Sequence, residues 1–256
     1  MAEFHRHNLT PSANGVLDMA HRLKGVTDAD GIAEVLTEVI HPFGYDSFVY
    51  ARIPTDADGA LEDYVHLDTL DPDWMQHYLE HDMFRDDWLA QYCQTGTRAV
   101  LWSDVRHRID TGQITGAEAH VMNSARDWGV QNGITLPLPC LGRVFAGISL
   151  VGDPMADQAD QDRQFRAAEQ PIAATLHVFH AGVEMGAVAR DFYGLTRREI
   201  EVLKWQSEGF RTRDIALKLR TSVHTVEKQA KSARSRLNAA STSQAVAKAV
   251  LMGIID

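Results

Sequence analysis

Five side chains between positions 74 and 102 could enclose a small molecule and hydrogen-bond to it. They are four aromatic residues and one carboxylate, Trp74, Tyr78, Asp87, Trp88 and Trp102. Trp74 and Tyr78 are four residues apart and therefore share one face of a helix. A carboxylate among aromatic rings is costly to bury unless a donor faces it, and the amide N–H of a ligand would be such a donor. On residue types alone, a structural aromatic core with Asp87 at the surface is the commoner arrangement and stays open.

A second group of residues, near the carboxyl end, has the start and stop signals of a helix. Thr196 and Glu199 have the spacing of a capping box, in which two side chains satisfy backbone N–H groups of the first turn. Gly209 is placed to end the helix, because glycine readily adopts the left-handed conformation that follows a last turn. Ile200, Val202 and Leu203 would supply its buried stripe.

Two further helices follow at the spacing of a helix-turn-helix. Thr212 is predicted to cap a short helix over 213–219, and a tight turn at 220–222 leads to a longer helix over 223–237. Two helices joined by so short a turn can place the second in the major groove of DNA. A last helix over 243–252 is predicted to cover the unit or to pair with a partner through its apolar side. That side comprises Val246, Ala247 and Val250.

The charge distribution agrees with contact to a polyanion by one end of the chain. Residues 191–256 contain 12 Lys/Arg and 7 Asp/Glu, a net charge of +5, whereas residues 1–190 contain 13 and 28, a net charge of −15. The two values sum to the −10 of the whole chain. A basic module on an acidic body is typical of phosphate contact by that module. The basic residues predicted to face the groove are Lys228, Lys231, Arg234 and Arg236.

Length and composition indicate a folded chain of one or two domains. Of its 256 residues 45% are hydrophobic. No stretch of 18 apolar residues is present, so no membrane span is predicted, and residues 1–7 lack the pattern of a secretory signal. Two cysteines suit a reducing compartment. We therefore expect a cytoplasmic protein.

The sequence contains no motif with the spacing of a catalytic or metal site. Cys93 and Cys140 have no Cys or His at metal-ligand spacing, and His177 and His180 lack an acidic and histidine partner pair. We interpret both cysteines as core or surface thiols rather than as a redox pair. A nucleophile elbow and a phosphate loop are missing as well, so an enzyme fused to a DNA-binding tail is the least favoured alternative.

These groups of residues are expected in two domains joined by a linker. We predict a ligand-binding domain over 1–184, a linker over 185–193 and a DNA-binding domain over 194–256. The predicted fold is α+β, an N-terminal α/β/α sandwich followed by an all-α helix-turn-helix domain. A sandwich of this kind can hold a small apolar ligand between sheet and helices.

The patterns in the first domain alternate between helix and strand. Aspartate at 28 or 30 is a suitable cap for its second helix. The predicted strands span 48–53, 64–67, 133–138 and 145–151, with turns at Asp58-Gly59 and Gly142-Arg143. The predicted helices span 15–23, 30–40, 72–81, 84–93, 116–128 and 163–189.

Residues 195–255 resemble the LuxR-type helix-turn-helix. The matching elements are the run 195–205, Gly209, Ile215-Ala216 and Thr225-Val226. The resemblance implies double-stranded promoter DNA as the partner, a homodimer on a palindromic site, and contact with RNA polymerase. The DNA-binding residues that we predict from it are Thr225, Glu227, Lys228, Lys231, Arg234 and Arg213.

Two positions depart from this pattern. Glu227 is acidic where the family often has a neutral or basic residue, and an acid can accept a hydrogen bond from a cytosine amino group. Ser241-Thr242 replaces an Asn-Arg pair, which removes one phosphate contact. Both changes bear on the operator sequence and the affinity for it.

Residues 15–180 resemble, more loosely, the autoinducer-binding domain of LuxR-type quorum-sensing regulators. Trp74, Tyr78, Asp87, Trp102 and Gly133 occur in that family's order and spacing. The resemblance implies an N-acyl homoserine lactone as ligand, with no cofactor. By the same resemblance Trp74 donates to the lactone carbonyl, Asp87 accepts from the amide N–H, and Tyr78 and Trp102 line the pocket.

Further ligand contacts are implied by the same resemblance. Ser149 on a late strand is expected to bond the amide carbonyl, and Val49, Ala51 and Ile53 to line the end of the cavity that holds the acyl tail. Two predicted pocket positions depart from the family. Trp88 stands where the family has proline, and Leu70 stands where a tyrosine is common. Both point towards an altered ligand.

Taken together, these features predict a ligand-responsive transcription regulator of quorum sensing and not an enzyme. One alternative is an orphan regulator of the same type with a different ligand or none, and Leu70 and Trp88 favour it. Another is a response regulator driven by phosphorylation, which shares this type of tail. Its early acidic pair, strand-end aspartate and later lysine do not occur in the required order here.

Overall fold

The computed structural model describes residues 13–26, 28–55, 65–140 and 144–256. The chain divides into two compact units, Met1–Val183 and Glu184–Asp256. The predicted turns at Asp58-Gly59 and Gly142-Arg143 lie outside the described residues, as does the first residue of the strand predicted over 64–67.

An antiparallel sheet forms the centre of the first unit. Within the described residues it has five strands, in the spatial order β2-β1-β5-β4-β3. The four predicted strands are confirmed; the strand at 100–101 was not predicted, because two residues are too few to show an alternating pattern. The strands are β1 (Tyr45–Pro54), β2 (Val65–Asp68), β3 (Val100–Leu101), β4 (Gly133–Leu138) and β5 (Val144–Gly152).

Helices cover both faces of the sheet, which confirms the predicted sandwich. The side chains of β1 alternate between the two faces. Tyr50 packs edge-on against Phe179, with ring centroids 5.4 Å apart, whereas Val49 and Ala51 point to the opposite face. On the Phe179 side lie α1 (Ala13–Leu23), α2 (Ala29–Ile40) and α7 (Gln158–Gly182). On the other side lie α3 (Pro72–Glu80), α4 (Trp88–Thr95), α5 (Trp102–Asp110) and α6 (Gly116–Asp127).

Aspartate side chains cap four helices of this unit, α2 and α4 among them. Asp28 accepts a hydrogen bond from the N–H of Gly31 at 2.9 Å and begins α2, as one of the two predicted caps. The helix predicted over 84–93 is wrong in its first half. A short 3-10 turn occupies Met83–Arg85, and α4 begins only after Asp87, whose side chain caps it. Such a cap fixes the helix start because it satisfies an otherwise unpaired N–H.

The helix predicted over 163–189 is two helices. The first is α7, which ends before Val183, an extended residue, and the second is α8 (Met185–Phe192) in the second unit. The segment predicted as a linker is therefore largely helical and buries Met185 and Val188. Gly186 allows its backbone to approach Gly253, because a Cβ there would lie 1.9 Å from the Gly253 carbonyl oxygen. Its role as a linker stays a prediction.

The second unit continues with four helices that include the predicted helix-turn-helix. The capping box is confirmed, since Thr196 and Glu199 bond each other's backbone N–H, and Gly209 has the predicted left-handed φ of +83°. Thr212 is not a cap, because it is the first residue of its helix and Arg211 precedes it without a side-chain bond. The helices are α9 (Arg197–Ser207), α10 (Thr212–Lys218), α11 (Val223–Arg236) and α12 (Thr242–Leu251).

The predicted apolar face of the last helix is not the face that packs on the unit. Helix α12 buries Ala245 and Ala249, whereas Ala247 is exposed and Val250 is 48% exposed. Alanine at the two buried positions allows the close approach of α9 and α11 to α12. The helix therefore covers the unit, which is one of its two predicted roles, but it does so through a different face from that of Val246, Ala247 and Val250.

No single helix within the described residues is long and apolar enough to cross a membrane. The consecutive helices α7 and α8 meet the length and composition test only when they are taken together.

Candidate functional site

An apolar cavity of about 110 Å³ lies between the sheet and the helices α3 to α6 in the first unit. Its walls include eight of the nine predicted ligand-binding residues. These eight are Val49, Ala51, Leu70, Trp74, Tyr78, Asp87, Trp102 and Ser149. The ninth, Trp88, does not line the cavity. Its ring stacks on Tyr92 with centroids 5.2 Å apart, and the guanidinium of Arg108 lies 5.5 Å from the ring centroid.

The carboxylate of Asp87 joins two elements at the cavity wall. One oxygen accepts from the N–H of Leu89 at 2.8 Å, which caps α4, and the other accepts from the hydroxyl of Tyr78 on α3 at 2.8 Å. Burial raises the pKa of Asp87, although the hydrogen bonds from Tyr78 and Leu89 oppose the rise. When ionised, the side chain is an acceptor only, so it can bind a further donor from the cavity.

The raised pKa of Asp87 predicts how stability depends on pH. A carboxyl whose folded-state pKa exceeds its unfolded-state value favours folding at low pH. This contribution is lost as the pH rises from about 3.9 through the folded-state pKa. We expect the melting temperature of the parent, relative to Asp87→Asn, to fall over that window. Melting curves of both proteins from pH 3.5 upward measure the difference, and parallel curves would contradict the prediction.

A chain of hydrogen bonds crosses the cavity floor. The indole N–H of Trp102 donates to the hydroxyl of Thr135 at 2.9 Å, and that hydroxyl lies 2.8 Å from the hydroxyl of Ser149. Because Trp102 is a donor only, Thr135 accepts from it and can donate its own hydroxyl hydrogen bond to Ser149. The proton of Ser149 is then available to an acceptor in the cavity.

The ring of Trp102 rests on the backbone of β4 at Gly133. A Cβ at Gly133 would lie 3.1 Å from two atoms of this ring and 2.4 Å from the carbonyl oxygen of Leu150. A side chain there would displace the ring and with it the donor to Thr135. Gly133 is thus a positioning residue for the floor of the cavity.

Trp74 presents a second indole to the cavity. The residue is only 3% exposed, and its ring lies 5.8 Å from that of Tyr78. Trp74 lines the cavity wall. Within the described part of the chain its indole N–H makes no hydrogen bond. An indole N–H is a donor only, so a carbonyl oxygen of a ligand in the cavity can accept from it.

In the second unit, the helix pair α10 and α11 presents basic residues to solvent. Val226 and Ala233 turn one face of α11 into the core, and Ser222 caps the helix through the N–H of Thr225 at 3.0 Å. On the remaining surface Lys228 and Lys231 are exposed and Arg234 is half-buried. Of the other predicted DNA-binding residues, Glu227 and Arg213 are exposed and Thr225 is half-buried.

Arg236 has a structural role that differs from the predicted groove contact. Its Nε lies 3.4 Å from the carboxylate of Glu199, and its Nη1 donates to the carbonyl of Gly194. Glu199 is only 4% exposed and also accepts from the N–H of Thr196 at 2.7 Å. This network ties α11 to the start of α9. The sequence alone did not reveal it because the partners are more than 35 residues apart.

The two sites correspond to two known protein families. Residues 28–182 match the family described as "Autoinducer binding domain", and residues 194–249 match the family described as "Bacterial regulatory proteins, luxR family". The chain belongs to the LuxR-type regulators with an autoinducer-binding domain. It is thus a quorum-sensing transcriptional regulator that combines a small-molecule domain with a DNA-binding domain, in a family without enzymatic activity.

Relatives of the same family align over nearly the whole chain. The transcriptional activator AhyR of Aeromonas hydrophila is 27% identical, over 94% of this chain and 92% of its own. The quorum-sensing regulator RhlR of Pseudomonas aeruginosa is 23% identical, over 91% and 93%. The activator LuxR of Aliivibrio fischeri is 23% identical, over 74% of each.

Solved structures share the fold of this regulator. SdiA of Escherichia coli, in complex with octanoyl-rac-glycerol, is similar with a TM-score of 0.51 at 17% identity, over 94% of this chain and 95% of its own. The N-acylhomoserine lactone dependent CepR2 of Burkholderia cenocepacia is similar with a TM-score of 0.53 at 17% identity, over 66% and 93%. At this identity the likeness supports the fold alone.

Several cavity residues of this LuxR-type regulator were missed by sequence reasoning. Thr135 bonds both Trp102 and Ser149, yet it lies in an almost wholly apolar strand, where a single threonine gives no signal. Cys93 was interpreted as a core or surface thiol, and it is a buried free thiol whose side chain lines the cavity. The remaining missed residues lie in helical elements and in β5, and an apolar pattern does not reveal which face of an element lines a cavity. They include Met75, Phe84, Val121, Met122, Phe145 and Gly147.

Proposed function

We propose that this regulator binds an N-acyl homoserine lactone in the cavity of its first unit and, as a cytoplasmic homodimer, binds a palindromic promoter site. Asp87 accepts from the ligand amide N–H, Trp74 donates to the ring carbonyl, and Ser149 donates to the amide carbonyl. Tyr78 positions the carboxylate of Asp87, and Trp102 positions the hydroxyl of Ser149 through Thr135. The cavity residues Val49 and Ala51 contact the acyl chain, and Leu70 and the nearby Trp88 stay predicted contributors to selectivity.

The order of donors and acceptors around the cavity carries this proposal. When ionised, Asp87 offers only an acceptor, whereas Trp74 and Ser149 offer donors. A ligand that satisfies all three therefore has one hydrogen-bond donor and two acceptors, and the rest of the wall is largely apolar. An N-acyl homoserine lactone has this set of groups together with an apolar tail.

The proposed mechanism is thermodynamic linkage. A ligand that binds only the folded protein stabilises it, and a lactone at 100 times its dissociation constant would contribute about 2.7 kcal/mol. If the stabilised state is the dimer that binds DNA, affinity for the promoter rises with lactone concentration. Identical DNA binding with and without lactones of every chain length would contradict this linkage.

Helix α12 offers a surface for the proposed dimer. Val250 is 48% exposed and Val246 is half-buried, so the face that does not pack on the unit retains apolar side chains. Pairing two such faces would remove them from water and place two copies of α11 side by side.

RNA polymerase contact, implied by the family resemblance, stays a prediction.

Lys231 on α11 gives a direct test of the proposed DNA contact. We expect Lys231→Ala to weaken binding to any DNA sequence and to reduce the slope of log affinity against log salt concentration by about 1, because one phosphate contact is lost. Fluorescence anisotropy titrations at several salt concentrations measure both effects. Lys24→Ala, which removes another exposed lysine, in the first unit, is the matched control and should leave the slope unchanged.

Thr135 gives a test of the hydroxyl chain. Thr135→Val keeps the shape of the side chain but leaves the indole N–H of Trp102 and the hydroxyl of Ser149 without this partner. We expect the free energy of unfolding to fall by about 1–3 kcal/mol and lactone affinity to fall about 10-fold. Denaturant titration and calorimetry measure the two effects. Thr175→Val, a buried threonine in α7 outside the cavity, is the control.

A second candidate is an orphan regulator with a different ligand. Leu70 favours it, because this cavity residue brings an apolar side chain where the family resemblance predicts a tyrosine hydroxyl. Thermal shifts measured with a panel of neutral acyl compounds that lack the lactone ring separate the two candidates. A larger shift with such a compound than with any lactone would favour the orphan regulator.

A further inference from the structure

The residues on the floor of the cavity form pairs across two neighbouring strands, and each pair is called a row below. On the cavity face of β1 and β5, Val49 lies opposite Ser149, Ala51 lies opposite Gly147, and Ile53 lies opposite Phe145. The first row contains the hydroxyl proposed to bind the ligand amide. The second row contains the two smallest residues of the floor. The third row contains two large apolar side chains.

The side chain of Cys93 narrows the cavity at the second row but does not close it. A Cβ at Gly147 would lie 2.4 Å from the sulfur of Cys93, so the thiol of α4 rests directly on the glycine backbone. Ala51, beside Gly147, is only half-buried and retains surface in the cavity. An unbranched chain can therefore pass over Ala51, whereas a branched or aromatic group would meet the sulfur.

The third row is closed by a hydrophobic cluster. Ile53, Phe145 and Phe84 pack together with Cys93, and all four are buried. Large side chains from both the sheet and the helical layer thus meet at one end of the cavity. The other end contains Trp74, Trp102 and Leu70.

We infer that Ile53, Phe84 and Phe145 form a stop that selects ligands with straight acyl chains of medium length. Ser149 lies four residue steps along β5 from Phe145, which corresponds to about 13 Å along the strand. Contact with the ring of Phe145 takes up about 4 Å of this distance, so about six to eight carbons fit between the amide and the stop. The inference rests on the proposed lactone function and specifies its ligand.

The test is a chain-length profile measured on the full protein. Dissociation constants for homoserine lactones with straight chains of four to twelve carbons are measured for the parent and for Phe145→Leu, Ala51→Val and Phe179→Leu. Phe179 is also a buried phenylalanine, lies on the opposite face of the sheet and is the matched control. Melting temperatures without ligand confirm that each variant is folded.

We expect the parent to bind six or eight carbons best and twelve carbons at least 10-fold more weakly. Phe145→Leu should move the optimum towards longer chains by about two carbons. Ala51→Val should weaken the binding of eight carbons more than that of four, and Phe179→Leu should lower the melting temperature with the profile unchanged.

Two results would overturn the inference in distinguishable ways. If the parent binds lactones but prefers twelve carbons, or if the optimum of folded Phe145→Leu does not move, the stop is wrong and the lactone function stands. If the folded parent binds no lactone of any length, the lactone function fails and the stop fails with it.

Discussion

Replacing Asp87 by asparagine is expected to weaken lactone binding by about 10- to 100-fold and to leave the ligand-free protein folded. A hydrogen bond to a charged group contributes about 1.5–3 kcal/mol, and this contribution to ligand binding is lost with the charge. Asparagine also brings an amide NH₂ donor, which would face the ligand N–H.

The structural contacts of Asp87 explain why asparagine is the informative substitution. The aspartate caps α4 through the N–H of Leu89 and accepts from Tyr78. Asparagine retains an oxygen for capping, so the cost of about 1 kcal/mol for losing a cap is avoided. Isothermal titration calorimetry measures the affinity, and Asp86→Asn at the exposed neighbouring position is the control. Unchanged affinity in Asp87→Asn would remove the carboxylate from the proposed site.

Replacing Glu199 by alanine is expected to lower the free energy of unfolding of the second unit by about 2–4 kcal/mol. Near the melting temperature of the variant, DNA binding should be abolished. The substitution removes a buried carboxylate that accepts from Thr196 and pairs with Arg236. Because Arg236 is 42% exposed, water compensates part of its lost partner, and we place the effect below that of a wholly buried pair.

The Glu199 network also predicts a dependence on pH. Burial raises the pKa of Glu199, but hydrogen bonds from Ser232 and Thr196 and the charge of Arg236 outweigh it and hold the pKa below its ordinary value. Its contribution to stability is therefore present above the unfolded-state value of about 4.3 and is lost as the pH falls through the folded-state pKa. Glu199→Gln should lower the free energy of unfolding by less than Glu199→Ala does. The stability of Glu199→Gln should also lack this loss at acidic pH. Denaturant titrations at pH 7 and pH 4 measure both, and equal stability of parent and Glu199→Ala would refute the role.

Several elements of the fold were predictable from local signals. The capping box of Thr196 and Glu199, the left-handed Gly209 and the alternating strands were read from neighbouring residues, and the structure contains them. The aromatic and acidic residues around the cavity were found because Trp74 and Tyr78 share one helix face and the family resemblance supplied the rest.

The errors arise where packing between distant segments decides. Trp88 is adjacent to Asp87 in the chain, but the first turn of α4 directs its ring towards Tyr92, away from the cavity. The apolar stripe of α12 with Val250 is predicted to cover the unit or to pair with a partner, and two alanines on another face pack on the unit because they permit a closer approach of the helices. Arg236 forms an ion pair with Glu199, which lies 37 positions away in the chain, so neighbouring residues gave no sign of this contact.

The central claim is that the cavity holds an acyl lactone. Native mass spectrometry of the full chain, purified from cells supplied with octanoyl homoserine lactone, tests it most directly. We expect one lactone per chain, a higher melting temperature than that of protein made without the lactone, and little retained ligand in Asp87→Asn. A folded parent that is recovered empty, with a melting temperature unchanged by any lactone, would contradict the claim.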